Sequence, residues 1–325
     1  MKAVVRRRYG GPEVLTVENV PDPEPGPRQV RVRVRASSIN RADRYVLTGR
    51  PWPLRIAMGL RRPRNQGIGA DFAGDIDQVG EGVQGLRVGD PVYGQHDFGQ
   101  TWAERTCVPA SVVSPKPPSL TYEEAAALPM AGLTALQGLM DRAAVRAGER
   151  VVVHGATGGV GSLAVAVAVA AGAEVTAVCS PRAAAAVRDG GAAHVLSYAE
   201  LRDTSACWDV FFDVAGTIGL DACLARVAPG GRYVAAGAPD GGPLGPLRHL
   251  LGLALRAPFA RRRVLLYAQT VDAQRLAQLT TWVEARGLRP VVSRIFPLDA
   301  VREALRCATE ERPAGKVVLR IASGC

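Results

Sequence analysis

Apolar and polar positions alternate strictly over Val30-Arg-Val-Arg-Val-Arg35, which puts three valines on one face of a strand and three arginines on the other. An antiparallel sheet with one wet face has this pattern, so the arginine row is expected to be solvated. Turn signals crowd the same region, at Gly10-Gly-Pro12, Pro21 to Pro27 and Gly80-Glu-Gly82. Residues 1–115 are therefore predicted to be β-rich. Residues 50–68 carry Pro, Gly and Arg without a period and are predicted to form a long loop, of a kind often used as a lid. The pattern changes after Ser114-Pro-Lys-Pro-Pro-Ser119. Glu123 to Met140 is alanine-rich and helix-like. Short apolar strands are predicted at Arg150–His154, Ala173–Val178, His194–Ser197, Val210–Val214 and Arg232–Ala236, with helices at Gly161–Ala171 and Pro181–Asp189. Such alternation implies a parallel sheet covered on both faces.

Composition narrows the class. A chain of 325 residues, 47% hydrophobic and 22% charged, suggests two domains and excludes a disordered or disulfide-held scaffold. The formal charge of +10 admits nucleic acid, a membrane surface or an anionic ligand as partner. All but three of the 40 basic residues are arginine, however, which weakens any argument from charge alone. The six cysteines are nowhere closer than sixteen residues, so no zinc ribbon or redox pair is expected. The start lacks the apolar segment of a secretory signal, and the longest apolar run, Leu163 to Ala171, is too short to span a bilayer. A cytoplasmic protein with no membrane partner is expected.

The strongest motif is Val151-Val-Val-His-Gly-Ala-Thr-Gly-Gly-Val-Gly161. It follows a strand and opens a helix, the context in which a glycine-rich turn binds a dinucleotide. Gly155, Ala156, Thr157, Gly158, Gly159, Val160 and Gly161 would make the tight turn and let the backbone approach a pyrophosphate at a helix N-terminus. The next strand distinguishes NAD from NADP. An NAD site places an acid about 20 residues on. Here the strand ends in Ser180-Pro-Arg182, with no acid until Asp189. Ser180 and Arg182 suit a 2′-phosphate, so NADPH is the expected cofactor.

With these residues in view, the chain resembles the medium-chain dehydrogenase/reductase superfamily. It is most similar to the zinc-free quinone oxidoreductase branch, which includes zeta-crystallin-like and enoyl-reductase-like members. The resemblance runs along the whole chain. It rests on Ser38-Ile-Asn-Arg-Ala-Asp43, Gly69-Ala-Asp-Phe-Ala-Gly74, Val88-Gly-Asp90, Ala125-Ala-Ala-Leu-Pro129, the glycine turn, Asp209 to Gly216, Pro229-Gly-Gly231 and Gly315-Lys-Val-Val318. It implies an α/β fold in which a Rossmann doubly wound parallel sheet domain, residues 120–289, is inserted in a GroES-like β-barrel domain of residues 1–119 and 290–325. It also implies a homodimer. By the same resemblance the catalytic zinc ligand positions fall on Asn40, Ala70 and Met130, and an adjacent acid on Asp71. None of the first three is a credible zinc ligand, so no metal is expected.

Without a metal, hydride addition to an electron-poor quinone or enone is easier than oxidation of an alcohol. Asn40 would donate to the developing oxyanion, with Asp43 orienting neighbours and Tyr45 giving a proton or lining the pocket. The resemblance sets Met130 and Thr134 beside the nicotinamide, Tyr198 near the adenosine phosphate, and Lys316 toward the cofactor. Val214 and Gly237, at the ends of later strands, complete the cofactor set. The apolar stretch Pro239 to Arg263 is expected to help wall a cleft for an apolar substrate. Two other classes stay open. One is an NADPH-responsive nucleic-acid-binding protein, which no motif supports, so no nucleic acid is expected. The other is a catalytically idle protein that retains the cofactor.

Overall fold

A computed structural model describes residues 1–96, 99–237, 245–260, 262–311 and 313–321. The chain forms two compact units, one of Met1–Met130 with Thr270–Cys325 and one of Ala131–Gln269. Strands β1 (Lys2–Arg6), β2 (Leu15–Asn19), β3 (Gln29–Ser38), β4 (Asp71–Val79), β5 (Pro91–Gln95), β6 (Arg105–Pro109) and β7 (Val113–Pro115) come first. The central unit holds β8 (Arg150–His154), β9 (Glu174–Val178), β10 (His194–Leu196), β11 (Trp208–Asp213), β12 (Val227–Ala235) and β13 (Arg263–Leu266). Strands β14 (Val292–Pro297) and β15 (Lys316–Arg320) follow.

The split unit is built on a seven-stranded mixed sheet, β14-β15-β3-β4-β5-β7, with β6 also paired to β3. Strand β15 pairs antiparallel with β3, Val318 opposite Ser38, and so joins the two ends of the chain. Val30, Val32 and Val34 are fully buried, as their alternation predicts. The arginine face departs from the expected solvated row. Arg31 pairs with Asp77 at 2.7 Å, and Arg35 and Arg33 with Asp75 at 2.8 and 3.3 Å. Strand β4 sets acids opposite the arginines, a cross-strand match that alternation within one strand cannot reveal. The predicted loop at 50–68 also contains a short helix, Leu54–Met58. The helices Tyr122–Ala127 and Ala273–Arg286 fall within residues 120–289, the range expected for the inserted domain. Both pack within the split unit, the first on β3, β4 and β15 and the second on β7. Tyr93 on β5 donates to the Leu276 carbonyl at 2.6 Å.

The central unit is a six-stranded sheet in the order β10-β9-β8-β11-β12-β13, parallel throughout. Numbered within the unit this is 3-2-1-4-5-6, the order of a dinucleotide-binding sheet. The order reverses between β8 and β11, the switch point at which sheets of this order take their ligands. Five strands are legible in the sequence; the sixth, β13, opens with Arg263 of a basic run and escapes the pattern. The helix Gly159–Ala170 is almost wholly Val, Ala and Gly, with Leu163, Ala164, Val165, Val167 and Ala168 buried. Valine is a mediocre helix former, so burial against the sheet is what holds this helix. In the 239–263 stretch, residues 239–244 and 261 lie outside the described residues. The helix Gly245–Arg256 packs Leu253 into the core, while Leu251 and Leu255 face solvent. Among the described residues, no helix is long and apolar enough to cross a membrane.

Candidate active site

In the central unit the site begins where three strands end. The carbonyl of each strand's last residue accepts two amides from the exit loop of a neighbouring strand. Val178 O takes Gly155 N and Ala156 N, His154 O takes Val214 N and Ala215 N, and Asp213 O takes Ala236 N and Gly237 N, all at 2.9–3.1 Å. This stepped arrangement fixes the roots of the three loops. Gly155 has φ +91°, which a side chain would strain. A Cβ on Gly161 would lie 2.0 Å from the Gly155 carbonyl, and one on Gly237 would lie 2.0 Å from Val214 O. Gly158, at the helix N-cap, instead faces open space. Ser162 N makes the helix's own bond to Gly158 O at 2.9 Å, so the amides of Gly159, Val160 and Gly161 precede the ladder. A pyrophosphate fits this cradle: glycine where the chain must turn, open space at its mouth, and amides aimed from a twelve-residue helix.

At the ends of the same strands lies a buried polar network. His154 Nδ1 and Asp213 Oδ1 are 2.8 Å apart, both groups fully buried. Tyr233 Oη donates to Asp213 Oδ2 at 2.8 Å and Gly216 N to Oδ1 at 2.8 Å. His154 Nε2 lies 3.1 Å from Thr217 Oγ1. The Asp213 carboxylate thus ties β8, β12 and the loop after β11 together. Burial raises the Tyr233 phenol far above its usual range, so it stays neutral and keeps the proton it donates to Asp213. Tyr198 stacks edge-on to His154 at 5.5 Å, and Thr134 accepts from Tyr267 Oη at 2.6 Å through its carbonyl. Ser180 and Arg182 are exposed at the end of β9, and among the described residues Arg182 forms no ion pair.

The split unit holds a second polar cluster. Asn40 Nδ2 donates to Asp71 Oδ2 at 2.9 Å, and Lys316 Nζ donates to Asn40 Oδ1. Lys316 also donates to the Ile39 carbonyl at 3.2 Å and stands 3.6 Å from Asp71 Oδ2. Asp71 takes further bonds from Ser38 Oγ at 2.9 Å and Met130 N at 3.1 Å. All four partners point donors at Asp71, the surroundings of a carboxylate. Burial pushes the Asp71 carboxyl up and the Lys316 ammonium down, and each ion's charge opposes the other's shift. Asp43 accepts from Asn40 N at 2.7 Å and so caps the helix Arg41–Thr48. Tyr45 is half-buried on that helix.

The predicted residues therefore fall in two groups. Asn40, Asp43, Tyr45, Met130 and Lys316 belong to the split unit; Thr134, the turn 155–161, Ser180, Arg182, Tyr198, Val214 and Gly237 belong to the central one. Sequence reasoning missed Asp71 as the hub of the first cluster and Asp213 as the hub of the second. Asp213 ends the apolar run Val210-Phe-Phe212, a signal that could have exposed it. Among the described residues no three His, Cys, Asp or Glu side chains converge on one point. The zinc ligand positions do not suit a metal. The Asn40 oxygen already faces an ammonium, and the Asp71 oxygens are ringed by donors. Cysteine chemistry is unfavourable too: burial raises the Cys179 and Cys307 thiols and lifts Cys107 to about 11.

Comparison with known proteins accords with this geometry. Residues 26–118 match the alcohol dehydrogenase GroES-like domain, and residues 190–319 match a family described as zinc-binding dehydrogenase. The chain is 33% identical to a quinone oxidoreductase of Pseudomonas aeruginosa, over 96% of its own length and 97% of the relative's. It is 39% identical to a mycocerosic acid synthase-like polyketide synthase of Mycobacterium tuberculosis over 70% of its length, but spans only 11% of that protein. A crystal structure of an NAD-dependent alcohol dehydrogenase superposes with a TM-score of 0.84, 31% identity and coverage of 99% and 100% of the two chains. The chain belongs to the medium-chain dehydrogenase/reductase superfamily of oxidoreductases.

Proposed function

We propose that the chain is an NADPH-dependent, zinc-independent reductase that transfers hydride to a quinone or to the C=C bond of an α,β-unsaturated carbonyl. The observation that carries this reading is the Asn40–Asp71–Lys316 cluster. Asn40 takes a position that the resemblance gives to a metal ligand and Asp71 that of the adjacent acid; with Lys316 they supply a fixed amide and a cation instead. Oxidising a plain alcohol requires removal of its proton, a task the metal eases in zinc enzymes. Adding hydride to an electron-poor acceptor requires only orientation and support for an oxyanion. The full-length likeness to a quinone oxidoreductase and the partial likeness to a polyketide synthase favour such acceptors.

The residues divide the work. The turn 155–161 and the helix behind it would hold the pyrophosphate. Ser180 and Arg182 would take the 2′-phosphate, Tyr198 the adenosine end, and Val214, Gly237, Thr134 and Met130 the rest of the cofactor. When bound, the nicotinamide supplies the hydride. Asn40 has one N–H held by Asp71 and a second left for the acceptor oxygen, while Lys316 fixes the flip of its amide by donating to Oδ1. The related NAD-dependent dehydrogenase makes cofactor choice an open contest, decided at the end of β9. A screen of NADPH oxidation over 9,10-phenanthrenequinone, simple enones and enoyl thioesters tests the proposal. Turnover with at least one class is expected. Tight NADPH binding without turnover of any would identify an idle cofactor-binding protein.

A further inference from the structure

Five arginines and no acid lie between Arg44 and Gly69. The chain as a whole carries 40 basic and 30 acidic residues, so this is segregation and not merely an arginine-rich composition. The same stretch holds Trp52, Ile56 and Leu60, which are 54%, 62% and 64% exposed. They are three of the eight large hydrophobic residues exposed among those described, gathered within nine positions. Single exposed apolar residues are ordinary; a cluster flanked by one sign of charge marks a contact surface.

The segment is pinned from below, which keeps these residues outward. The Arg55 guanidinium lies 4.4 Å over the Tyr9 ring and donates to the carbonyls of Gly49 and Thr48 at 3.1 and 3.2 Å. Tyr9 Oη donates to Gly59 O at 2.7 Å, and Met58 is buried. Trp52 precedes the helix Leu54–Met58, Ile56 lies within it and Leu60 follows it, each four residues from the next. Arg50, Arg61, Arg62 and Arg64 are exposed and form no ion pair among the described residues. Arg62 also lines an open groove of about 440 Å³ with Arg7, Arg8, Glu13, Val14 and Thr16. Arg7 is engaged by Glu18 at 2.7 Å and Glu13 by the Gly11 amide at 2.8 Å, so Arg8 and Arg62 are the groove's available cations.

We infer that residues 50–64 form a peripheral docking surface for an anionic lipid bilayer. Trp52, Ile56 and Leu60 enter the headgroup boundary, and the arginines pair with lipid phosphates. Exposed Trp and aliphatic side chains beside unpaired arginines are the chemistry of an interfacial anchor. A nucleic acid would use the arginines but leave three apolar side chains in water. The sequence expectation of no membrane partner rested on the lack of a spanning segment, and a surface contact needs none. Docking would bring the chain to where apolar quinones dissolve; that consequence rests on the proposed function, whereas the docking does not.

The test is cosedimentation of the full chain with vesicles of phosphatidylcholine alone or with about one-third phosphatidylserine, together with tryptophan emission. Trp102 and Trp208 are buried and Trp282 is half-buried under the Arg286 guanidinium, so the part of the blue shift that the Trp52 variant removes is the part that reports on docking. Binding to the anionic vesicles, with a blue shift and loss at high salt, is expected. Replacing Arg61, Arg62 and Arg64 by Gln should weaken it about fivefold per charge, roughly a hundredfold together. The variant Trp52→Ser, Ile56→Ser, Leu60→Ser should lose the blue shift with an unchanged circular dichroism spectrum. Four results would each overturn the inference: no vesicle binding, equal binding to neutral vesicles, unchanged binding by both triple variants, or polyglutamate bound as tightly as vesicles. A dimer in solution that the serine variant dissolves would also overturn it, by assigning the face to a second copy of the chain.

Discussion

The two buried polar clusters look alike and do different things. Each has one fully buried aspartate at the end or start of a strand, ringed by hydrogen-bond donors, with a basic side chain against it. Asp213 and His154 support a site made of backbone. Their bonds to Gly216, Tyr233 and Thr217 hold the floor beneath amides that would meet a ligand. Asp71 and Lys316 support a site made of side chain, because what they hold is the Asn40 amide itself. A backbone site depends on where the chain can turn; a side-chain site depends on which way one amide is flipped.

Removing each hub should separate the two. Asp213→Ala leaves His154, Tyr233 and Gly216 N without their acceptor and should cost about 3 kcal/mol or more in chemical denaturation, with dinucleotide affinity lost in parallel. Asp71→Ala leaves the Lys316 ammonium buried and unpaired and should cost a similar 3–5 kcal/mol, yet leave dinucleotide affinity within about twofold. If both variants lose affinity equally, the division between the clusters fails. A smaller effect is expected from Asn40→Ala, which should lower kcat/KM for the acceptor by about 10- to 100-fold while the KM for NADPH stays near its starting value. Smaller again, Arg182→Glu should raise the KM for NADPH about tenfold with little change for NADH. An unchanged cofactor ratio would remove Arg182 from the phosphate site.

The smallest effect concerns pH. Glu149 receives two bonds from Arg232, at 2.8 and 2.7 Å, and this pairing holds its carboxyl below the usual 4.5. A depressed carboxyl contributes stability that is present above about pH 4.5 and is lost as pH falls through its folded value. Glu149→Gln should therefore lower stability at neutral and alkaline pH, leave it little changed at acid pH, and so flatten the acid limb of the stability profile.

The same contrast explains how much could be read from sequence. The cradle was legible, because only glycine tolerates φ +91° at residue 155 or a carbonyl 2.0 Å from a Cβ at residue 161. Turn, strand and helix there are local and periodic. The side-chain cluster joins residues 40, 71, 130 and 316, which no periodicity links. Resemblance alone brought Asn40 and Lys316 forward, and the role of Asp71 as their common partner emerges only from the paired strands. The arginine row of β3 makes the same point. Its alternation predicted the buried valines, but Asp75 and Asp77 came from a strand forty residues on. Residues 50–68 read as a loop for want of a period, and the pinning of Arg55 and Gly59 by Tyr9 is likewise non-local.

The central proposal is that the chain is an NADPH-dependent reductase that works with a fixed amide and a buried ammonium in place of a metal. Steady-state oxidation of NADPH and NADH, with 9,10-phenanthrenequinone and an enone as acceptors, before and after exhaustive chelation, tests it most directly. Turnover unchanged by chelation, with kcat/KM favouring NADPH by about tenfold or more, is predicted. Activity lost on chelation and restored by zinc, or a preference for NADH, would contradict it.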